Sequence, residues 1–254
     1  EDGSFEVQDF GRGMPVDFNQ KEGRYNWELI FCELYAGGKY NTLEGESYEY
    51  SLGLNGLGAC ATQYSSEYMD VEVRRDGFRY TLHFAHGENI GGLQKEPYAK
   101  KDTGTVVRWK PDLQVFTDIA VPTGYFRDVL KRQAIVNPGV LFVLRDQHGR
   151  EFETEEFRYE NGIADYVREL AGEEALTGIQ VWTAERRGRD RADKPEYKVR
   201  LHVAWCCSNR TSLLEYYHNS SYLEHGGSPE KAVRSAFVSQ IDAYLKQTGR
   251  YLKN

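Results

Sequence analysis

The chain has 254 residues, 40% hydrophobic and 28% charged, with a net charge of −7. That suffices for one large or two small packed soluble domains, and it excludes a membrane span, which needs ~20 apolar residues in a row; with no basic-then-apolar signal peptide visible, a cytoplasmic location is expected. The acidic total argues against simple nucleic-acid wrapping, but residues 1–173 carry 19 Lys/Arg against 30 Asp/Glu while residues 174–254 carry 13 against 9, which suggests two units with different partners or, equally, one solvated basic loop over Arg186–Lys194.

Asp2-Gly3 is a hairpin-turn signal without a first arm, so structure preceding residue 1 is expected. Alternation predicts a strand over Phe5–Asp9, followed by the turn-rich "DFGRGMPVD". Trp27, Ile30, Phe31, Leu34 and Tyr35 fall at helical spacing, and Gly37-Gly38 should end that helix. The polar stretch Asn41–Ser47 leads to a glycine-rich loop and a helix from Leu57 to Tyr64. "YMDVEVRRDGFRYTLHF" reads as two strands joined at Asp76-Gly77, and "TGTVVRWKP" as another. A helix follows over "PTGYFRDVLKRQAIVNPG", ended by Pro138 and Gly139, then a hairpin turning near Gln147–Gly149 and a helix over "GIADYVRELAG". From about Leu176 a new unit begins. "GIQVWTAERR" and "YKVRLHVAWCC" read as strands around a basic loop, and a last helix runs from Pro229 to Gln247.

Cys32, Cys60, Cys206 and Cys207 form no CxxC pair, so reduced, partly buried thiols are expected rather than a disulfide frame or a zinc site. Adjacent Cys206 and Cys207 would point to opposite sides of a strand. His83 and His86, three apart on a strand, cannot easily share a metal.

Two glycine motifs carry chemistry. "GLNGLG" (Gly53–Gly58) opens a helix, and such a loop lets backbone N–H groups approach an anion, although for the motif alone a flexible loop is the plainer reading. It lacks the Lys-Ser/Thr ending of a P-loop and the glycine order of a dinucleotide fingerprint. In "DFGRGMPVD", Asp9 closes a strand beside glycines, where its carboxylate can accept from an exocyclic amine. An Asx turn is the plainer reading of the same residues.

Taken in order, the DxGRGMP stretch, AGGKY (Ala36–Tyr40), Ser47-Tyr48 with GLxGxG, and TGT in "DTGTVVRWKPD" (Asp102–Asp112) resemble the ATP-binding domain of type IIA topoisomerase B subunits, members of the Bergerat-fold ATPases. "RYENGIADYV" resembles the family's YxGGI segment, and "EHGGSPEKAVRSAF" extends the resemblance into the second, transducer domain. It implies a Bergerat-type α/β sandwich, a mixed sheet with helices on one face, over residues 1–173. A smaller, partial βαβ-type transducer would follow over 174–254. By resemblance, Asp9 accepts the adenine amino group, and Arg12, Gly13, Met14 and Pro15 line the adenine face. Thr105 shares the adenine-binding water, Tyr48 stands beside adenine and ribose, and Lys39 lies near the phosphates. Leu54, Asn55, Gly56, Leu57 and Gly58 form the lid backbone around the triphosphate.

The departures are Phe10 for Asn or Asp, Glu49 for Lys, Leu52 for a lid Gly, and Asn55 for His; Thr81 falls near an arginine used at the pocket mouth. The general-base glutamate and the Mg²⁺-holding asparagine are expected upstream of residue 1, so the isolated chain is expected to be inactive. The implied cofactors are ATP and Mg²⁺. The implied partners are DNA, a topoisomerase A subunit and a second copy of the B subunit, with ATP binding closing the dimer as a gate for strand passage. A MutL-like or chaperone-like ATPase, or a non-hydrolysing nucleotide-binding paralogue, is the alternative.

Overall fold

Met69, Val71 and Val73 alternate with polar residues along one strand, and Tyr80, Leu82 and Phe84 along the next; all six are buried. A period of two puts them on one face of a sheet. The computed structural model describes residues 2–35, 56–189, 191–194, 196–209 and 211–251. Its first elements are β1 (Phe5–Asp9), β2 (Phe18–Asn19), β3 (Arg24–Tyr25), α1 (Asn26–Phe31) and α2 (Gly58–Tyr64). β4 (Ser66–Arg75), β5 (Phe78–Ala85), β6 (Glu88–Pro97) and β7 (Gly104–Pro111) follow. The main sheet has the order β1-β7-β4-β5-β6. Phe31 is fully buried against it, with Trp27, Ile30, Cys32 and Ala59 packed around the same cluster. Helices α1 and α2 therefore supply one covered face of the expected sandwich. Each fully buried Phe, Met or Val contributes about 1.5–3 kcal/mol relative to exposure.

In detail the pairing differs from expectation. All pairings of the main sheet are antiparallel, not mixed. The tight Asp76-Gly77 turn, with φ of 53° and 78°, leaves no room for the crossover a parallel neighbour needs. Strand β6 was not legible. Gly91-Gly92 interrupts its alternation, and the register with β5 shifts between Thr81 and His83. Helix α1 ends at Cys32, whose N–H donates to the Glu28 carbonyl, rather than running to Gly37. Leu34 and Tyr35 are exposed and Tyr35 has φ 65°, so nothing there rewards another turn.

The later elements are α3 (Thr123–Val136), β8 (Phe142–His148), β9 (Glu151–Phe157), α4 (Ile163–Ala171), β10 (Gln180–Gly188) and β11 (Tyr197–Trp205). The short strands β12 (Tyr217–His218) and β13 (Ser221–Tyr222) and helix α5 (Ser228–Thr248) complete them. Ala134, Ile135 and Tyr159 form their core with Phe142, Phe157, Ile163 and Tyr166. Gly162, at φ 55°, lets the backbone pass the end of α3, where a Cβ would meet Pro138 Cγ at 2.8 Å and the Ile135 carbonyl at 2.9 Å. Instead of a βαβ unit, β10 and β11 pair as an antiparallel two-stranded sheet, and α5 follows. Strand β11 stops at Trp205, so Cys206 and Cys207 lie beyond it; all four cysteines are free thiols. The chain divides into two compact units. One is Glu1–Pro122 with Gln147–Phe152, the other Thr123–Asp146 with Glu153–Asn254. Among the described residues, no helix is long and apolar enough to cross a membrane.

Candidate functional site

Antiparallel pairing of β1 with β7 sets Asp9 directly opposite Thr105. Opposed residues share a face with Cβ atoms about 5 Å apart. That face is the one carrying Met69, Val71 and Val73, since Thr105 also pairs with Val73. The motifs "DFGRGMP" and "DTGT" are thereby brought together across more than ninety residues of chain. Three contacts fix them. Met14 N–H donates to Thr105 Oγ1 at 3.1 Å. The Thr103 hydroxyl donates to the Gly11 carbonyl at 2.6 Å. The Gly11 N–H donates to Asp9 Oδ1 at 2.8 Å.

Two glycines make this approach possible. Gly104 has φ 147°, and a Cβ there would lie 2.1 Å from the Asp9 carbonyl oxygen. Gly13 has φ 79°, and its Cβ would lie 2.7 Å from the Arg74 carbonyl oxygen. Any other residue at Gly104 pushes the two motifs apart, and at Gly13 it pushes the loop off β4. Val16 then anchors the end of the loop, fully buried in the core, with Met14 packed beside it.

Asp9 is exposed and Thr105 is buried. Asp9 Oδ1 is occupied by Gly11, and Oδ2 makes no hydrogen bond among the described residues. Thr105 Oγ1 accepts from Met14, so its own proton remains to be donated. An open acceptor and a donor thus stand side by side, a pattern that matches an amine next to a ring nitrogen. Val7, on the same face two residues before Asp9, is 60% exposed and offers an apolar surface beside them.

Of the other predicted residues, Gly13 is buried in the loop, and Arg12 and Pro15 are exposed on it. Gly56, Leu57 and Gly58 lead into α2; Gly56 has φ 59°, and the Ala61 N–H donates to the Leu57 carbonyl at 2.8 Å. Lys39, Tyr48, Leu54 and Asn55, with the departures Glu49 and Leu52, lie outside the described residues. Thr81 is not brought to the site. It pairs with Glu72, so it occupies the opposite face of the sheet from Asp9 and Thr105.

Sequence reasoning missed Val7 and the structural duty of Thr103 and Gly104. The T-G-T triplet was a visible signal for the last two. It also missed Arg74, almost buried, whose guanidinium pairs with Asp102 at the start of the same segment. Tyr98 donates to that carboxylate at 3.2 Å. Burial acts to raise Asp102, but hydrogen bonds from backbone and Tyr98, and the Arg74 charge, outweigh it and hold the carboxyl below its ordinary range. A cavity of 340 Å³ beside this pair is lined by Arg75, Gly77 and Tyr98–Thr103, sharing Thr103 with the contacts that join the two motifs. Among the described residues, no three His, Cys, Asp or Glu side chains come together to hold a metal.

Comparison with known proteins follows the same lines. The DNA gyrase B family model matches residues 162–254. The B subunit of DNA topoisomerase 4 from Escherichia coli is 37% identical over 96% of this chain and 37% of its own length. The B subunit of DNA gyrase from Thermotoga maritima is 29% identical over 97% of this chain and 38% of its own. The 43K ATPase domain of Thermus thermophilus gyrase B, solved in complex with an aminocoumarin, superposes with a TM-score of 0.71 at 26% identity. The match covers all of this chain and 62% of that one. The chain thus spans a little over a third of the length of these two curated relatives.

Proposed function

We propose that this chain, which is related over nearly its whole length to the B subunits of type IIA DNA topoisomerases, forms the ATP-binding part of such a protein. The observation that carries this reading is the convergence of Asp9, Gly11, Met14 and Thr105 at the β1–β7 edge. Asp9 Oδ2 accepts from the adenine amino group, the Thr105 hydroxyl serves the neighbouring ring nitrogen through a water, and Val7 and Met14 bracket the base. Arg12, Gly13 and Pro15 form the loop wall. Lys39, Tyr48 and Leu54–Gly58 complete the ribose and phosphate side.

Mg²⁺ enters with the nucleotide. In the complete protein a glutamate activates the attacking water and an asparagine would hold the ion; neither role is assigned to a residue of this chain. In the complete protein, ATP binding closes two B subunits into a gate, and an A subunit cleaves and rejoins the DNA that the gate admits. The division between the ATP-binding part and the transducer at residues 173 and 174 is our reading, supported by the change of charge sign between 1–173 and 174–254.

Calorimetric titration with a non-hydrolysable ATP analogue and Mg²⁺ tests the reading. Binding that Asp9→Asn weakens at least tenfold is expected. Binding indifferent to Asp9, or none in a chain extended upstream, overturns it.

A further inference from the structure

Strands β6 and β7 follow each other in the chain but not in the sheet, where β5 and β4 stand between them. The six residues Tyr98–Thr103 that join Pro97 to Gly104 therefore cross the ends of two strands. Three strand spacings make that crossing about 14 Å. Six extended residues reach about 20 Å. The crossing has slack, so its path is set by what holds it. At one end the Tyr98 N–H donates to the Gly77 carbonyl at 2.8 Å, on the turn between β4 and β5. At the other end the Asp102 carboxylate pairs with the Arg74 guanidinium. The Tyr98 hydroxyl is shared between both oxygens of that carboxylate, at 3.2 Å from each.

Arg74 touches both motifs of the candidate site. It pairs in register with Gly104. Its carbonyl oxygen is the atom that a Cβ at Gly13 would meet at 2.7 Å, so the "DFGRGMP" loop rests on its backbone. Its side chain holds the residue that precedes T-G-T. Val73 faces the core on the same side as Thr105, so the Arg74 side chain lies on the opposite face, behind the site. There it is only 9% exposed. Its Nε stands 3.4 Å from Glu72 Oε1, farther down the same strand. A nearly buried guanidinium that loses one carboxylate turns to the next. Without the Asp102 charge, Arg74 shifts toward Glu72 and the start of β7 is released.

We propose that Arg74 and Asp102 are a positioning pair for base recognition, holding the start of β7 so that the Thr105 hydroxyl stands level with the Asp9 carboxylate. The inference rests on the ATP reading above. A 6-amino purine offers a donor beside a ring acceptor. A 6-oxo purine offers an acceptor beside a ring donor. Asp9 and Thr105 tell the two apart only while they stay in step, and a placement of this kind tolerates about 0.5 Å of error. The pair thereby sets selectivity for the base without touching it.

The test is calorimetric titration of the whole chain with a non-hydrolysable ATP analogue and with its inosine counterpart. The proteins are the parent, Asp102→Asn, Arg74→Gln and the double variant. Amide hydrogen exchange at Met14, which donates to Thr105 Oγ1, is followed without nucleotide. The Asp102 side chain is 41% exposed, so Asp102→Asn spares the fold even where Arg74→Gln does not. We expect the parent to prefer the adenine form by about tenfold or more. Asp102→Asn should lose most of that preference by binding the adenine form about fivefold more weakly, with the inosine form nearly unchanged. The double variant should be no worse than the weaker single one. Met14 should exchange about tenfold faster in Asp102→Asn, while Val71 and Leu82 in the core keep parental rates. Parental preference in Asp102→Asn, equal loss for both nucleotides, or additive losses in the double variant overturns the proposal. If the parent binds neither nucleotide, the ATP reading fails by itself. Met14 exchange then decides whether the pair holds Thr105, and a parental rate in Asp102→Asn overturns that as well.

Discussion

The β1–β7 edge and the β10–β11 ribbon are both antiparallel pairs, yet they are held in opposite ways. Asp9 and Thr105 face each other across a long loop of chain, and their approach depends on β4 and β5 already being paired and buried. Gly188 and Tyr197 pair next to the ribbon's connection, and the register runs back from them to Gln180 and Trp205. Non-local pairing must overcome the loop entropy before its contacts reward it, whereas a hairpin closes locally. The edge therefore needs a core and two glycines. The ribbon needs little more than alternation and its connection. A site that recognises a small molecule by placed donors and acceptors belongs on the first kind of structure.

The sharpest way to break the contrast is at Gly104. Replacing it by Ala puts a methyl group 2.1 Å from the Asp9 carbonyl. We expect a cost of about 4 kcal/mol or more, and loss of nucleotide binding, read by thermal unfolding and calorimetry. A variant with parental stability would show that β1 does not need this approach. Next comes Phe84→Ala, which empties a fully buried site where Trp27 and Phe31 meet. About 3–4 kcal/mol should be lost in denaturant unfolding.

Asp9→Asn is a smaller perturbation of the fold and a specific one of the site. The Asn oxygen can still accept from Gly11, so melting should shift little, while analogue binding falls at least tenfold, about 1.4 kcal/mol. Equal losses of stability and binding would mean that Asp9 is structural. On the ribbon the same kind of change should be almost silent. Glu185→Gln weakens contacts to Lys198 and Arg200 that are exposed to solvent and screened by salt, so stability should change by less than about 1 kcal/mol.

The smallest effect is in acid. Asp112 accepts from the Gln114 N–H at 2.7 Å and pairs with His86 Nδ1 at 2.8 Å; the backbone bond foremost, then His86, holds its carboxyl below the ordinary 3.8. A depressed folded value means that the ionised form stabilises the fold above 3.8, and that this contribution is lost as pH falls through the lower value. Asp112→Asn should flatten the acid limb of the stability profile and leave the neutral region nearly parallel to the parent. An unchanged limb would assign the acid loss to other carboxylates.

Much of this was legible from local chemistry. The alternation at Met69–Val73 and Tyr80–Phe84 gave two buried strands, and Asp76-Gly77 gave their turn. The net positive charge of residues 174–254 set that part of the chain apart, and the residues of "DFGRGMP" and "TGT" were recognisable as motifs. Where local signals were weak, reading failed for identifiable reasons. Gly91-Gly92 hid β6 behind a bulge, and Leu34 and Tyr35 kept helical spacing that no burial rewards.

The sequence by itself determined which residues carry the chemistry, because a carboxylate beside glycines or a run of arginines has its hydrogen-bonding and charge properties wherever it stands. Only the tertiary structure decided which of them meet. Setting Asp9 opposite Thr105, and sending Thr81 to the other face, is a matter of strand order and register, and a shift of one residue would reverse every side chain. That register is fixed by the collective burial of Met69, Val71, Val73, Leu82 and Phe84 and by the contact distance at Gly104. Neither is a property of any one stretch of the chain.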